Sequence, residues 1–219
     1  MIDGPRMPPA SGGNPKGLVV FLHGYGADGN DLIGIGREWA RLLPSTAFVS
    51  PHAPELVPGT PMGRQWFPLT MRDPQEFARG VRAARPVLDA FLDAELQRHK
   101  LDESVCALVG FSQGTMLALH AGLLRTRRLA GILGYSGLLA DPAALVAGPV
   151  QTPPVLLIHG DRDDMIPVAA IFYAAQGLAA AEIPVEWHVS EGTPHGIAPD
   201  GVALGGTFLR RILLPPVAS

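Results

Sequence analysis

Ser104-Val-Cys-Ala-Leu-Val-Gly-Phe-Ser-Gln-Gly-Thr-Met-Leu-Ala-Leu-His-Ala-Gly-Leu-Leu124 is the stretch on which the fold turns. Ser104 to Val109 is an apolar run of strand length, and Ser112 to Leu124 has helical spacing. Gly110-Phe-Ser-Gln-Gly114 must therefore turn the chain sharply from strand to helix. A serine on such a turn is forced into strained backbone angles, and bulky neighbours two residues away would collide, which is why glycines suit positions 110 and 114. The Ser112 hydroxyl is then expected to project at the carboxyl edge of a sheet, beside the positive end of the following helix.

Outward from this stretch the same alternation repeats. Leu18 to Leu22, Ala47 to Ser50, Gly131 to Leu133 and Val155 to Ile158 are continuous apolar runs, as expected of strands buried on both faces. Asp31 to Leu43, Gln75 to Arg98, Pro167 to Ala181 and Asp200 to Leu214 have helical spacing. Strand alternating with helix predicts βαβ units, hence an α/β fold with a mostly parallel central sheet and helices on both faces. In Ile183 to Ser190, Val185, Trp187 and Val189 alternate with polar residues, which predicts a strand near the sheet edge. Residues 1–15, rich in Gly and Pro, read as an N-terminal hairpin or surface arm. Pro51 to Pro74 holds six prolines and breaks the alternation, and a connection of that length in a compact domain is usually functional.

Bulk properties narrow the function. A chain of 219 residues with 47% hydrophobic and 17% charged residues fits one globular domain, 1–219. A net charge of -3 offers no basic field, so nucleic acid is not an expected partner. The single cysteine, Cys106, sits within a strand run and rules out a disulfide framework or a multi-cysteine metal site. No signal-peptide pattern opens the chain and no apolar run reaches the roughly 20 residues of a membrane helix. A cytoplasmic protein without stable membrane insertion is expected.

G-x-S-x-G between a strand and a helix is the pattern of a nucleophile elbow, where an exposed serine attacks an acyl carbonyl. The pattern alone is only moderately specific; its setting carries the weight. A serine hydroxyl is a weak nucleophile at neutral pH and needs a base, which in turn needs a carboxylate to hold its tautomer. In this arrangement the chain order is Ser, acid, His. His159-Gly-Asp-Arg-Asp-Asp-Met-Ile-Pro167 follows a strand and offers Asp161, Asp163 and Asp164. Asp163 is preferred by its position four residues before Pro167, with Asp161 bracing the loop and Asp164 helping to start a helix. Of seven histidines, His195 in Glu191-Gly-Thr-Pro-His-Gly196 alone occupies a loop after the last strand, the place of the base. His23, His52, His99, His120, His159 and His188 have structural explanations in turns, helices and strands.

Leu22-His-Gly-Tyr-Gly-Ala-Asp-Gly-Asn30 closes the first buried strand with a Gly-rich turn of the kind that lends a backbone N–H to an oxyanion hole, the second N–H coming from the residue after the nucleophile. This nominates the amides of Tyr25 and Gln113. No phosphate-binding or dinucleotide pattern is present, and the Asp28, Asn30 and Asp31 spacing does not make a calcium loop. No cofactor and no metal are expected.

Taken together, Phe21-Leu-His-Gly-Tyr-Gly-Ala-Asp-Gly29, Pro51-His-Ala-Pro54, Gln65-Trp-Phe67, Gly110-Phe-Ser-Gln-Gly114, His159-Gly-Asp-Arg-Asp163 with Ile166-Pro167, and Pro194-His-Gly196 resemble the phospholipase/carboxylesterase family of α/β-hydrolases, which includes bacterial carboxylesterases and acyl-protein thioesterases. The resemblance spans nearly the whole chain. It implies the α/β-hydrolase fold without a cap domain, nucleophile Ser112, acid Asp163, base His195 and oxyanion amides at Tyr25 and Gln113. It departs from the common pattern at Thr115, where many members have glycine, and at Tyr25, where thioesterase relatives often have leucine. The family's long loop borders the acyl pocket, which implies Trp66, Phe67, Leu69 and Met71 as substrate contacts, with core packing of the same residues as the competing reading.

The expected activity is that of a serine carboxylesterase acting on short to medium acyl esters, a small-molecule substrate. A thioesterase or lysophospholipase with the same residues is the nearest alternative, and a binding protein on the same fold a more distant one. Monomer and homodimer both stay open.

Overall fold

The structure is a computed structural model that describes residues 2–70, 72–73 and 75–214. Its strands are β1 (Arg6–Met7), β2 (Gly17–Leu22), β3 (Thr46–Val49), β4 (Glu55–Leu56), β5 (Arg64–Gln65), β6 (Cys106–Phe111), β7 (Gly131–Tyr135), β8 (Val155–Gly160) and β9 (Val185–Ser190). Its helices are α1 (Asn30–Trp39), α2 (Glu76–His99), α3 (Gln113–Leu123), α4 (Ala144–Ala147), α5 (Ala169–Ala180) and α6 (Pro199–Leu213). Seven strands form one sheet in the order β1-β3-β2-β6-β7-β8-β9, parallel throughout except for β1. The α/β-hydrolase reading is met, with no separate cap domain among the described residues.

Both faces of the central strands are covered, which is why they read as unbroken apolar runs. Leu18, Val20 and Leu22 of β2 point into a core shared with α2, α3 and α5, while Val19 and Phe21 point into a second core shared with α1 and α6. Phe21 stacks between Trp39 and Phe48 at centroid distances of 5.8 and 6.1 Å. Full burial of such a side chain is worth roughly 1.5 to 3 kcal/mol. Helix α3 is buried along its whole length, so its apolar residues surround it rather than forming a stripe.

Three local features differ from the sequence expectations or refine them. The N-terminal arm contributes β1, which pairs antiparallel with β3 at the sheet edge. The proline-rich connection folds a small hairpin of its own, β4 against β5. Asp164 does not start α5: the helix opens at Val168 without a side-chain cap.

Candidate active site

Ser112 stands between β6 and α3 with φ 53° and ψ -116°, the strained turn that the flanking glycines predict. The glycines are required by contact. A Cβ on Gly110 would lie 2.4 Å from the Thr115 nitrogen, and one on Gly114 would lie 1.9 Å from the Leu22 carbonyl oxygen. The Ser112 amide donates to the Tyr135 carbonyl at 2.9 Å, anchoring the turn to β7.

The loops after β8 and β9 are laced together. Asp161 N–H donates to Ser190 O at 3.2 Å, Arg162 N–H to Thr193 O at 2.9 Å, and Thr193 N–H to Asp161 Oδ1 at 3.2 Å. Asp161 thus braces the loop, as its position implies. The lacing brings residues 32 apart in sequence into contact: His195 Nδ1–H donates to Asp163 Oδ2 at 2.7 Å. Asp163 Oδ1 accepts the backbone N–H groups of Met165 and Ile166 at 3.0 and 2.8 Å, and the carboxyl group is shielded from solvent. With the proton on Nδ1, the Nε2 lone pair of His195 is free to act as a base.

The imidazole packs on Phe111, the residue before Ser112, at 5.0 Å between centroids. No hydrogen bond joins Ser112 Oγ to the ring among the described residues. In free enzymes such bonds are commonly long and tighten with substrate. Ser136, directly after β7, sits at φ 45° and donates its hydroxyl to Gly196 O at 3.2 Å. It steadies the histidine loop, and only the contact across 60 residues reveals that.

The Gly-rich turn after β2 comes up against the serine from the other side. A Cβ on Gly24 would meet Phe111 at 3.0 Å and Ser112 Cβ at 3.4 Å. His23, fully buried, uses both ring nitrogens: Nδ1–H donates to Gly24 O at 2.8 Å, and Nε2 accepts Ala53 N–H at 3.0 Å. Burial holds this imidazole below its ordinary value, in keeping with a neutral ring. His52 Nδ1 accepts Gly29 N–H at 3.0 Å, so two histidines set aside as structural brace this turn. Among the described residues, neither the Tyr25 nor the Gln113 backbone N–H donates to a turn or loop carbonyl.

Of the nominated substrate contacts, Trp66 and Phe67 are each 2% exposed and belong to the core. Trp66 Nε1–H donates to His23 O at 2.9 Å, tying the proline-rich segment to the Gly-rich turn. Leu69 is half-buried against the same core, and Met71 lies outside the described residues. A groove of about 290 Å³ beside the His195 loop is lined by Asp31, Leu32, Ile35, Phe111, Gly196 and Ile197. No group of three or more metal-ligating side chains occurs among the described residues. None of their helices is long and apolar enough to cross a membrane. Cys106 is buried in β6, where desolvation pushes its thiol up to about 12.

The family model described as phospholipase/carboxylesterase matches residues 10–213. An acyl-protein thioesterase 1 from Gibberella zeae is 28% identical over 214 residues, covering 90% of this chain and 91% of that protein. The esterase YpfH of Escherichia coli is 27% identical over 185 residues, covering 82% of this chain and 76% of that protein. The crystal structure of esterase PE8 superposes with a TM-score of 0.93 at 44% identity, covering 97% of this chain and 99% of that chain.

Proposed function

Because the chain belongs to the phospholipase/carboxylesterase family of α/β-hydrolases, a family of hydrolases, we propose that it is a serine carboxylesterase in which Ser112, His195 and Asp163 form the catalytic triad. The observation that carries this reading is the 2.7 Å hydrogen bond from His195 Nδ1 to the shielded Asp163 carboxylate, with the ring packed against the residue before Ser112.

His195 Nε2 takes the Ser112 proton as Oγ bonds to the acyl carbon, and the tetrahedral oxyanion is held by the amides of Tyr25 and Gln113. Collapse breaks the ester bond, and His195 gives the proton to the departing alkoxide. Water then repeats the sequence on the acyl-enzyme, releasing the acid and restoring Ser112. The carboxylate of Asp163 stabilises the imidazolium formed in each half. Loss of one oxyanion donor costs about 2.7 to 4 kcal/mol in the barrier, so the bracing of the Gly-rich turn by His23, His52 and Trp66 has a catalytic consequence.

Short to medium acyl chains suit the small groove lined by Leu32, Ile35, Phe111 and Ile197. Trp66 and Phe67, at 2% exposure, offer a substrate little surface and act by holding the frame. A thioester substrate is the second reading, supported by the similarity to the Gibberella zeae acyl-protein thioesterase 1. The test is hydrolysis of p-nitrophenyl acetate and butyrate and of an acyl-thioester by wild type and Ser112→Ala, with fluorophosphonate labelling of both. Activity and labelling should vanish together in the variant; a folded wild type with neither would overturn the reading. A thioester rate well above the ester rates would favour the second reading.

A further inference from the structure

His159, the next-to-last residue of β8, has almost no solvent exposure at its side chain. It lines a small internal void with mostly apolar neighbours, among them Leu119, Leu157, Ile171 and Ala174, and with Thr115. Its Nε2 lies 2.8 Å from the Ile166 carbonyl oxygen and 3.2 Å from Asp163 Oδ2. A carbonyl oxygen only accepts, so Nε2 must carry a proton. That N–H points at the Ile166 carbonyl, and the same nitrogen stands 3.2 Å from Asp163 Oδ2, so the positive edge of the ring lies beside the carboxylate.

Asp163 Oδ2 therefore accepts from His195 Nδ1 at 2.7 Å and has the His159 Nε2 edge beside it at 3.2 Å, while Oδ1 takes two backbone amides. A polar ring in an apolar wall costs desolvation free energy that a leucine would avoid. Bracing Ile166 alone does not require it, because Asp163 Oδ1 already holds that turn through the Ile166 amide.

We propose that His159 is a positioning residue of the active site, setting the positive edge of its ring beside Asp163 Oδ2 so that the charge of the carboxylate acts on two imidazoles rather than on His195 alone. This rests on the assignment of Asp163 and His195 as acid and base. Removing the His159 N–H leaves more negative charge for His195, which favours its protonated form. Two other carboxylates lie on elements packed around the base. Asp161 is engaged with Thr193 N–H, and Asp31 of α1 lines the groove with Gly196 and Ile197.

The test compares His159→Leu, His159→Asn and His159→Gln with wild type. The glutamine amide nitrogen falls near the position of Nε2, whereas the asparagine amide is too short to reach Asp163; the asparagine variant serves where leucine does not fold. In the leucine or asparagine variant kcat should fall roughly 10- to 100-fold with little change in KM, the scale that partners of an active group typically carry. The acid limb of kcat/KM should move to higher pH, and glutamine should restore both. In parallel, NMR of histidine-labelled protein follows the His195 titration midpoint in wild type and in Ser112→Ala, where no catalysis is needed. An upward shift in the leucine or asparagine variant, reversed in the glutamine variant, is expected. An unmoved midpoint overturns the proposal, whatever happens to kcat. Absence of fluorophosphonate labelling in the wild type would instead count against the catalytic reading, and the NMR arm would still decide the link between His159 and the Asp163–His195 pair.

Discussion

The side chain of Gln113 is hydrogen-bonded to the backbone of Trp66: Oε1 accepts the Trp66 N–H at 2.8 Å, while Nε2 donates to the adjoining Phe67 carbonyl at 2.8 Å. All of these atoms belong to buried residues. The residue whose own amide is assigned to the oxyanion hole thus pins the proline-rich segment beneath it. Gln113→Ala leaves a buried donor and a buried acceptor unpaired, each worth about 1 to 3 kcal/mol. A lower urea midpoint and reduced kcat are expected; an unchanged midpoint would show that the clamp does not matter.

Asp163→Asn keeps the size of the side chain but lets the amide favour the wrong His195 tautomer. In a triad this typically lowers kcat by about 10⁴-fold. Steady-state kinetics on p-nitrophenyl butyrate should show that order of loss with KM little changed. Asp164→Asn, at an exposed position, should leave kcat near the wild-type value.

Glycines separate sharply by contact. Gly114→Ala drives a Cβ into the Leu22 backbone carbonyl, which cannot move without shifting β2, so soluble folded protein should be lost or the Ser112 turn displaced. Gly34, exposed in α1, has nothing within 4 Å of a built Cβ. Gly34→Ala should raise stability by roughly 0.5 to 1 kcal/mol in a thermal or urea melt.

Acid should destabilise the fold through its buried histidines. Burial holds His23 and His120 below the ordinary value of 6.5, so between their folded values and 6.5 the unfolded chain binds more protons than the native one. Stability then rises with pH across that window and falls as pH drops below about 6.5. For His23 the geometry agrees, since Nε2 accepts the Ala53 N–H and cannot do so once protonated. Urea midpoints measured from pH 7.5 down to 5 should decline, and His23→Gln should flatten part of the slope.

Cys106 is fully buried, and its thiol is raised to about 12 by desolvation. Ellman's reagent should leave the native protein unmodified and react with one thiol after denaturation. Reaction at the native rate of a free thiol would show that β6 opens.

The alternation of apolar runs with helical segments was enough to predict the parallel sheet, because strands covered on both faces leave an unbroken apolar signal. Gly110 and Gly114 marked the turn at Ser112, since no side chain fits where the chain crosses Leu22 and Thr115. Short pairings were not legible: β1 and the β4–β5 hairpin each have strands of two residues, too few for a period to show. Trp66 and Phe67 could be read either as substrate contacts or as core, because an aromatic next to a proline-rich loop carries no sign of which way it points.

Order and residue type along the chain thus determined the fold class and the candidates Ser112, Asp163 and His195, because those depend on local periodicity and loop position. Which histidines serve which partners was decided only by tertiary structure. His23, His52 and His159 carry the same side chain as His195. Their separate tasks arise from Ala53, Gly29, Ile166 and Asp163, brought within hydrogen-bond distance by the stacking of strand ends from distant parts of the chain.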